Sequence, residues 1–439
     1  MKKLYVILFF VILSCPVLLI PIQGLSQSET SENRTKADFP TWKDEETGEF
    51  NTNYFVQVDE FLEDNFLYRE QLIEVNSKLQ ETLFKTSAEP QVIVGQDGWL
   101  FATSTLDDYF GTNVLSDREI WQVAKTFELV NEYVTSKGAE FVFTIAPNKN
   151  SIYPQYMPSS YEPNQDNNNA NKLKETLSSD IYLDLFEVMR NAEPIVYLAR
   201  DSHWDDRGAL FAYLAICEAL DIHRQNFSTL NAEIKYEFEA DLNGMLYPLN
   251  QELDKQIYYE FDNDFEYTSR FKSLDDIFIT TESETGEGNI LVFRDSFGRS
   301  LLQFFGRQFE NTTFSRARPY IIDYVEDAEY IVIEIVEREI PSLLDSAPIM
   351  PAIVREVDKD ELIIAKKSVI NVDETNGFKH VYGYFQLDDY PENIYIKVNG
   401  ILYEAFPIFE DSIEAEYDGA VGFSAYLPVE TQNYKVLYR

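Results

Sequence analysis

Cysteine and histidine are scarce in this sequence. Its 439 residues contain two cysteines, Cys15 and Cys217, and three histidines. Two cysteines provide no disulfide framework, so the stability of the fold must come from packing. So few cysteines and histidines also exclude a zinc set, and neither an EF-hand pattern nor a glycine-rich nucleotide fingerprint occurs. The sequence therefore predicts neither a metal site nor a cofactor.

Positive charge is scarce as well. There are 36 basic residues against 76 acidic ones, which gives a formal net charge of -40 that is spread along the chain. Such a charge repels phosphate backbones and anionic membrane surfaces, which argues against nucleic acid as a partner. Neutral or cationic partners, such as many glycans, are the easier substrates. Hydrophobic residues make up 45% of the chain, a globular composition.

An apolar segment occupies the N-terminus. Two lysines precede the uncharged run Leu4–Ile22, whose length is close to the ~20 residues of a membrane-spanning helix. The run is longer than a usual secretory h-region. We therefore predict an uncleaved signal anchor over residues 1–25 and a linker over 26–54, with the rest of this single-pass membrane protein outside the cytoplasm. Lipidation of Cys15, in a loose lipobox, is the alternative.

The central part of the chain alternates strand and helix patterns. The three strand segments are short, apolar and largely unalternating, which is typical of a parallel sheet covered on both faces. We predict an α/β core with ligands at the carboxyl ends of the strands. The strands are expected at 140–146, 289–293 and 330–335, and the helices at 118–136, 208–220 and 300–309, after an amphipathic helical segment at 59–84 and a β-run at 92–101.

The C-terminal part, residues 349–439, has a different texture of short strands and turns. Asn399-Gly400 between two alternating runs is a strong hairpin signal. We predict a small all-β, sandwich-like domain. Most of its aromatic side chains are expected to be core, although some could stack on sugar rings, which would make the domain an accessory carbohydrate-binding one; the candidates are Tyr382, Tyr384, Tyr395, Tyr403 and Tyr426.

One histidine is a candidate catalytic base. His203 follows Asp201 by two positions, and in an extended segment this spacing points both side chains to the same face. A carboxylate there could hold the Nδ1 proton and leave Nε2 free to act as base. His223 and His380 have no obvious acidic neighbour. The alternative is that Asp201 and His203 only cap the helix that follows.

A candidate nucleophile lies at a strand-to-helix turn. Ser296 follows the strand that ends at Phe293 and precedes a helix. A hydroxyl at that position projects at the carboxyl edge of the sheet, where backbone N–H groups of the helix start could bind an oxyanion. An Asp-Ser pair before a helix is ordinarily a cap, so the turn alone leaves this alternative open. The combination with His203 favours serine catalysis.

Five signatures in order give a family resemblance. They are GQDGWLF at 95–101, APNKNSIYPQYMP at 146–158, DSHW at 201–204, LVFRDSFGRSLL at 291–302 and YIVIEIVERE at 330–339. The sequence resembles the alginate O-acetyltransferase family typified by AlgJ and AlgX, whose members are SGNH-like and whose bacterial relatives include chains named for an Asp-His-His-Trp motif. The resemblance implies an SGNH-like O-acyltransferase domain over residues 55–348, with a three-layer α/β/α core.

The resemblance also implies roles for individual residues. It implies Ser296, His203 and Asp201 as the catalytic set, although the family's serine motif reads Gly-Asp-Ser and this chain has Arg294 in place of the glycine. That substitution changes the backbone packing before the serine. Ser202 receives no role.

Three further polar residues stand near the predicted site. Asn148 and Lys149, after the first strand, and Arg338, after the last, could donate to an oxyanion or to substrate. The alternative is that Asn148 and Lys149 only close a turn. Glu334 and Glu337 could hold Arg338 as an ion pair.

The predicted activity is O-acetyl transfer to an exported or cell-wall polysaccharide. The resemblance implies that a membrane-bound acyltransferase supplies the acetyl groups. An esterase on the same scaffold would use identical triad chemistry, with water as the acceptor. A catalytically inactive glycan-binding protein is the third possibility, and the arginine at 294 keeps it open.

Overall fold

The computed structural model describes residues 36–43, 48–66, 68–164, 167–223, 227, 230–249, 252–262, 264–387, 389–409 and 420–439, together with Val6, Phe9 and Phe10. The predicted anchor at 1–25 and the first part of the predicted linker lie outside the described residues, apart from those three, and both stay predictions. Within the described part, every helix falls short of the length and apolar character that a membrane span requires.

Two helices precede the α/β core, as the amphipathic segment predicted. Helix α1 is Tyr54–Asn65 and helix α2 is Arg69–Phe84. The orientation of α2 is unusual, because its polar Glu74 and Ser77 are buried. Four of its apolar side chains are between 52% and 66% exposed, namely Leu72, Val75, Leu79 and Leu83.

A seven-stranded sheet forms the core. The chain first makes the hairpin β1 and β2, then helices α3 and α4, and then alternates strands with helices α5 to α8 and α10. These elements are β1 (Val92–Val94), β2 (Leu100–Ala102), α3 (Leu106–Phe110), α4 (Asp117–Ser136), β3 (Glu140–Ala146), α5 (Lys149–Ile152), α6 (Asn169–Thr176), β4 (Tyr182–Leu183), α7 (Leu185–Arg190), α8 (Asp206–Ala219), β5 (Ala232–Phe238), α9 (Asp241–Leu246), β6 (Asp254–Tyr259), β7 (Glu266–Tyr267), β8 (Phe278–Glu282), β9 (Asn289–Phe293), α10 (Leu302–Gln308), β10 (Asn311–Ser315) and β11 (Tyr330–Val336).

The strand order of the sheet is β4-β3-β11-β9-β10-β8-β7. Its first five strands are parallel, and β8 and β7 add antiparallel pairs at one edge. The predicted α/β core is therefore present, with a mixed rather than wholly parallel sheet. Its three predicted inner strands are β3, β9 and β11, each almost wholly buried. The three-layer arrangement stays a prediction.

Aromatic packing joins helices to this sheet. On α4, Phe127 stacks on Phe143 of β3 with the ring centroids 4.0 Å apart, and both are buried. On α8, Tyr213 packs against Phe304 and Phe305 of α10 at 5.5 and 5.2 Å. Complete burial of side chains of this size stabilises the fold by about 2 kcal/mol each. These contacts pack α4 onto the sheet and α8 against α10.

The C-terminal region is β-rich, as predicted. Five strands form one sheet and three form another. Side chains from both sheets share one hydrophobic cluster, including Val381, Ile396 and Phe423, which is the packing of a sandwich. The predicted hairpin turn is present, with Asn399 and Gly400 at positive φ of 53° and 89°. The strands are β12 (Val354–Arg355), β13 (Ile363–Ile364), β14 (Val369–Thr375), β15 (Phe378–Gln386), β16 (Ile394–Val398), β17 (Ile401–Ala405), β18 (Ala420–Leu427) and β19 (Lys435–Tyr438).

Candidate active site

In the turn after β9, the serine side chain does not cap the helix that follows. Ser296 precedes a 3-10 helix, Phe297–Leu301, where the sequence predicted the start of an α-helix. Asp295 makes the cap: its Oδ1 accepts the Phe297 N–H at 2.7 Å, and its Oδ2 accepts the N–H of Val336 at the end of β11. The Ser296 side chain makes no capping hydrogen bond. The capping alternative for this serine is therefore not what the structure shows.

A glycine in the 3-10 helix permits the close packing of this turn. A Cβ at Gly298 would lie 2.6 Å from Arg294 Cβ and 2.8 Å from Glu334 Oε2, closer than side chains pack. The Arg294 side chain is buried, and its guanidinium donates to the carbonyls of Leu274 and Asp295 at 2.6 and 3.0 Å. The arginine thus braces the turn instead of distorting it, and the close approach occurs at Gly298.

A hydrogen-bonded chain links the three predicted catalytic residues. His203 Nε2 lies 2.9 Å from Ser296 Oγ, and His203 Nδ1 lies 2.7 Å from Asp201 Oδ1. Asp201 is 1% exposed and His203 is 8% exposed, so the pair is shielded from water. With the proton on Nδ1 facing the carboxylate, Nε2 is left as an acceptor for the serine proton. This is the geometry that an activated serine requires.

Backbone hydrogen bonds fix the Asp201 carboxylate. Its Oδ1 accepts the His203 N–H at 2.9 Å, and its Oδ2 accepts the Asp241 N–H at 2.9 Å. Burial by itself raises the pKa of Asp201, but the charge and hydrogen bond of His203 and the Asp241 N–H outweigh it and hold the pKa below its usual range. The carboxylate is therefore ionised at any pH at which the protein would work.

A second carboxylate flanks the histidine, and sequence reasoning missed it. Asp241, the first residue of α9, has Oδ2 at 3.9 Å from His203 Nδ1. Its carboxylate accepts the backbone N–H of Ser202 at 2.9 Å and the Ser202 hydroxyl at 2.5 Å. The Ser202 hydroxyl is in turn 3.2 Å from His203 Nδ1. Burial, with the nearby Asp201 charge, raises the pKa of Asp241.

The tryptophan of the DSHW motif ties the histidine segment to the serine segment. Trp204 is buried, and its Nε1–H donates to Ser300 Oγ at 2.8 Å and to the Phe297 carbonyl at 3.2 Å. Its ring also packs edge-on against Phe297 at 5.1 Å. A Cβ at Gly208 would lie 2.7 Å from Trp204 Cβ, so a glycine is needed there. These contacts set the distance between the base and the nucleophile.

An arginine one turn beyond the serine also reaches the histidine. The Arg299 guanidinium lies 3.4 Å from His203 Nδ1, and it pairs with Asp275 at 3.8 Å. No sequence signal singled out this residue, because its position relative to His203 depends on the packing of two segments almost a hundred residues apart.

The structure brings Asn148 and Arg338 together, but away from the serine cleft. Arg338 donates to Asn148 Oδ1 at 3.5 Å, and Asn148 Nδ2 donates to Asp108 Oδ2 at 3.1 Å. The Arg338 guanidinium also lies 5.8 Å from the Phe297 ring centroid. Neither residue is among those that line the cleft. Their predicted oxyanion role stays a prediction.

Lys149 is bound by main-chain carbonyls. Its buried ammonium donates to the carbonyls of Leu198 at 3.0 Å, Ala199 at 3.1 Å and Asp201 at 2.5 Å. Burial lowers the pKa of Lys149 to about 8, against the opposing charges of Asp201 and Asp241. Because three carbonyls take its three protons, this lysine holds the segment before His203 rather than facing substrate.

The predicted ion pair of Arg338 is wrong. Among the described residues, Arg338 pairs with neither Glu334 nor Glu337. Glu337 accepts the Asn148 N–H at 2.9 Å, and Glu334 accepts the Asp295 N–H at 3.2 Å. Burial raises the pKa of Glu337 to about 8 and that of Glu334 well above its usual value. A raised pKa favours the neutral form of each acid, which weakens its attraction for a cation.

The other two histidines lie elsewhere, as their sequence context indicated. His223 is exposed. His380 contacts Ser424 Oγ at 2.8 Å and stacks between Tyr382 and Tyr426 at 4.4 Å each. Ser424 is fully buried in the C-terminal sheet, so this second serine–histidine contact cannot meet a substrate.

A cleft of about 910 Å³ opens over the serine. Asp201, His203 and Ser296 line it at one end, and aromatic side chains of the segment 258–267 line another part. Burial, with the Asp205 charge, raises the pKa of the cleft residue Asp206 to about 7, although a hydrogen bond from Gln303 opposes this. The cleft is large enough for several sugar units and is open to water.

One cluster in the described part of the chain has the composition of a cation site. Ligand atoms of Asp201, His203 and Asp241 lie within 4.8 Å of one another. The hydrogen bonds described above already join these atoms to each other and to Ser202. The absence of a metal site stays a prediction from the sequence.

Residues 92–266 match the family described as SGNH hydrolase-like domain, acetyltransferase AlgX. The chain resembles the AlgJ and AlgX acetyltransferases. This confirms the resemblance that the sequence motifs predicted. The matched segment contains Asp201 and His203, whereas Ser296 lies beyond it.

Individual relatives are distant. Over 195 residues the chain is 26% identical to the probable alginate O-acetylase AlgJ of Pseudomonas aeruginosa, covering 40% of this chain and 46% of that protein, so the match spans less than half of the relative. Bacillus cereus PatB1 superposes with a TM-score of 0.46 at 16% identity, covering 57% of this chain and 96% of PatB1. The O-acetyltransferase domain of Pseudomonas putida AlgJ gives 0.38 at 17% identity, covering 57% and 92%. Superpositions this loose carry no argument about the site.

Proposed function

We propose that this protein is an O-acetyltransferase that passes an acetyl group through Ser296 to hydroxyls of an exported or cell-wall polysaccharide. The observation that carries the proposal is the chain of hydrogen bonds from Ser296 through His203 to the buried Asp201, with the serine facing an open cleft. The family match over residues 92–266 supports acetyl chemistry in particular.

The first half of the reaction loads the serine. Ser296 Oγ attacks the carbonyl carbon of a donor acetyl ester while His203 Nε2 takes the hydroxyl proton, and Asp201 stabilises the imidazolium that forms. The bond between the carbonyl carbon and the leaving oxygen then breaks. The leaving oxygen takes the proton from Nε2, and an acetyl-serine ester remains.

The second half repeats these steps with an acceptor. A sugar hydroxyl loses its proton to Nε2 as its oxygen attacks the acetyl carbon, and the proton then returns to Ser296 Oγ as that ester bond breaks. Water in place of the sugar would make the protein an esterase. The open cleft admits both acceptors, so only a measurement of products separates transfer from hydrolysis.

The cellular setting is also part of the proposal. An anchor formed by the apolar run at 4–22 would hold the protein in the membrane, with the acyltransferase domain of 55–348 outside the cytoplasm. A membrane-bound acyltransferase would supply the acetyl groups. The β-rich region of 349–439 would be an accessory domain.

The test supplies the full chain with an acetyl ester donor and a panel of glycans. Transfer predicts a glycan product heavier by one acetyl group. Release of acetate at the same rate with and without glycan would make the protein an esterase. Neither product, together with no acetylated protein, would leave an inactive binding protein.

A further inference from the structure

The charges that line the cleft are mostly negative. The acidic side chains are Asp201, Asp206, Glu239, Asp241 and Asp275, and the basic ones are Arg299 and Arg307. Asp201 is hydrogen-bonded to His203. Glu239 has no cation partner among the described residues. An anionic ligand in the cleft therefore meets more repulsion than attraction.

Both arginines of the cleft are already paired with acids. Arg299 pairs with Asp275 at 3.8 Å, and Arg307 pairs with Asp264 at 2.9 Å. The Arg307 guanidinium is also packed on two aromatic rings, 3.9 Å from the centroid of Phe261 and 4.8 Å from that of Phe265. Recognition of a carboxylate or phosphate uses a guanidinium with free N–H groups. Arg307 is not placed to offer that fork to a ligand, and Arg299 lies as a charged group between Asp275 and His203.

Aromatic side chains in the cleft can make contacts that need no charge on the ligand. Phe261, Phe265 and Tyr267 line the cleft, but Arg307 covers one face of Phe261 and of Phe265, and Phe271 stacks on one face of Tyr267 at 3.9 Å. Tyr267 is nevertheless 40% exposed, so it is the ring that offers surface to a ligand. Flat aromatic faces pack well against the C–H face of a sugar ring, and this contact needs no charge on the sugar.

We propose that the acceptor is an uncharged glycan, which stacks on Tyr267, and that the cleft discriminates against glycans that carry a carboxylate on each sugar. This inference rests on the proposed transfer function and names its substrate class. Gln303 and Asp206, which are hydrogen-bonded to each other, also line the cleft and offer polar atoms for the recognition of sugar hydroxyls.

The decisive comparison uses the full chain, a p-nitrophenyl acetate donor and two acceptors of equal length. Neutral chito-oligosaccharides and β-1,4-linked mannuronate oligosaccharides are supplied in turn, and acetylated product is counted by mass. We expect kcat/KM to be at least tenfold higher for the neutral glycan. Equal or faster transfer to the uronate would overturn the inference, as would a failure of both glycans to accept acetyl.

Ionic strength adds an independent readout. Salt screens repulsion between the cleft and an anionic acceptor. Raising the salt concentration should therefore lower KM for the uronate, whereas KM for the neutral glycan should not change. A uronate KM that rises with salt would show attraction and contradict the inference.

A charge-removing variant tests the lining directly. Asp275→Asn frees Arg299 and also Arg316, which pairs with Asp275 at 3.3 Å. We expect the uronate-to-neutral ratio of kcat/KM to rise about fivefold, the scale of one charge interaction in a wet cleft. The control is Asp117→Asn, which removes a carboxylate that pairs with Lys172 at 3.1 Å outside the cleft. It should leave the ratio unchanged; an equal rise in both variants would contradict the assignment.

The two proposals fail in different ways. Absence of acetyl on Ser296 with the donor alone would defeat the proposed function. An acetylated serine that is discharged preferentially by the uronate would defeat only the inference about the acceptor.

Discussion

The Asp201 carboxylate organises the residues around the base. One oxygen accepts both the backbone N–H and Nδ1–H of His203, and the other accepts the N–H at the start of α9. The same oxygen therefore fixes the position of the histidine backbone and the tautomer of its ring. Since the carboxylate is buried, no water competes for these donors, and the orientation of Nε2 toward the serine follows from one side chain.

Replacement of Asp201 by Asn tests this role. The variant keeps the size of the side chain but presents an amide that cannot stabilise the imidazolium. We expect kcat to fall by ~10⁴, the scale in the serine-protease template, with circular dichroism unchanged. Hydrolysis of p-nitrophenyl acetate measures it. Turnover near the wild-type rate would reduce Asp201 to an organiser of the loop.

Site contacts between residues close in sequence could be predicted, whereas most contacts between residues far apart in sequence could not. Asp201 and His203 are two positions apart, so local geometry alone predicted their contact. Ser296 could be proposed because a strand and a helix flank it. Asp241 lies 3.9 Å from the same histidine and donates its N–H to Asp201, but no pattern around it distinguishes it from any helix-start aspartate. Arg299 escaped prediction for the same reason.

At the scale of elements, the end of β11 and the start of α5 share a buried acid. Glu337 accepts the Asn148 N–H and is 1% exposed. Because burial, with the Asp108 charge, raises its pKa to about 8, the folded protein keeps this proton to a higher pH than the unfolded chain does. Between the unfolded pKa and about 8, the folded state binds more protons. The free energy of unfolding therefore falls as pH rises through that window.

Glu337→Gln should flatten this dependence. The amide is neutral at every pH and can still accept the Asn148 N–H. Between pH 6 and 8, we expect the unfolding free energy of the wild type to fall by on the order of 1 kcal/mol per pH unit relative to the variant. Urea denaturation at several pH values measures it. Glu339→Gln, at an exposed neighbouring position, is the control and should follow the wild type; parallel curves for all three proteins would contradict the raised pKa.

Strands were easier to predict than the faces of helices. Two of the three strands have the predicted bounds, and the third extends by one residue to Val336. Strands of this kind are predictable because a short, continuous apolar run is buried most readily as a strand inside a covered sheet. The apolar stripe of α2 indicated a helix but not its orientation. In the structure this stripe faces outward, while Glu74 and Ser77 are buried.

At the scale of the whole molecule, a buried carboxylate joins the C-terminal region to the core. Glu404 of β17 is 3% exposed. It pairs with Lys125 of α4 at 3.0 Å and with Arg355 of β12, and Arg355 also pairs with Glu132 of α4. Stacking of Trp121 on Tyr390 at 5.9 Å adds an apolar contact between the same parts. The sequence suggested two regions but could not predict this junction, because it depends on pairs almost 300 residues apart.

Glu404→Ala should weaken that junction. It leaves Lys125 and Arg355 without their shared acid in a largely dry site, which costs about 3 kcal/mol. Urea denaturation measures the loss, and limited proteolysis reports whether the C-terminal region loosens first. Glu361→Ala removes an exposed partner of Arg439 and should cost below about 1 kcal/mol. Equal losses of unfolding free energy in the two variants would show that the buried ion pair stabilises the protein no more than the exposed one.

Capture of the acyl-enzyme tests the central claim most directly. The full chain is mixed with p-nitrophenyl acetate and quenched in acid. Its intact mass is measured by mass spectrometry, and the modified peptide is then sequenced. The account predicts one added acetyl group on Ser296, absent from Ser296→Ala, which should lose both hydrolysis and transfer while remaining folded. An unmodified wild-type protein during steady turnover, or an Ala variant that still turns over, would contradict it.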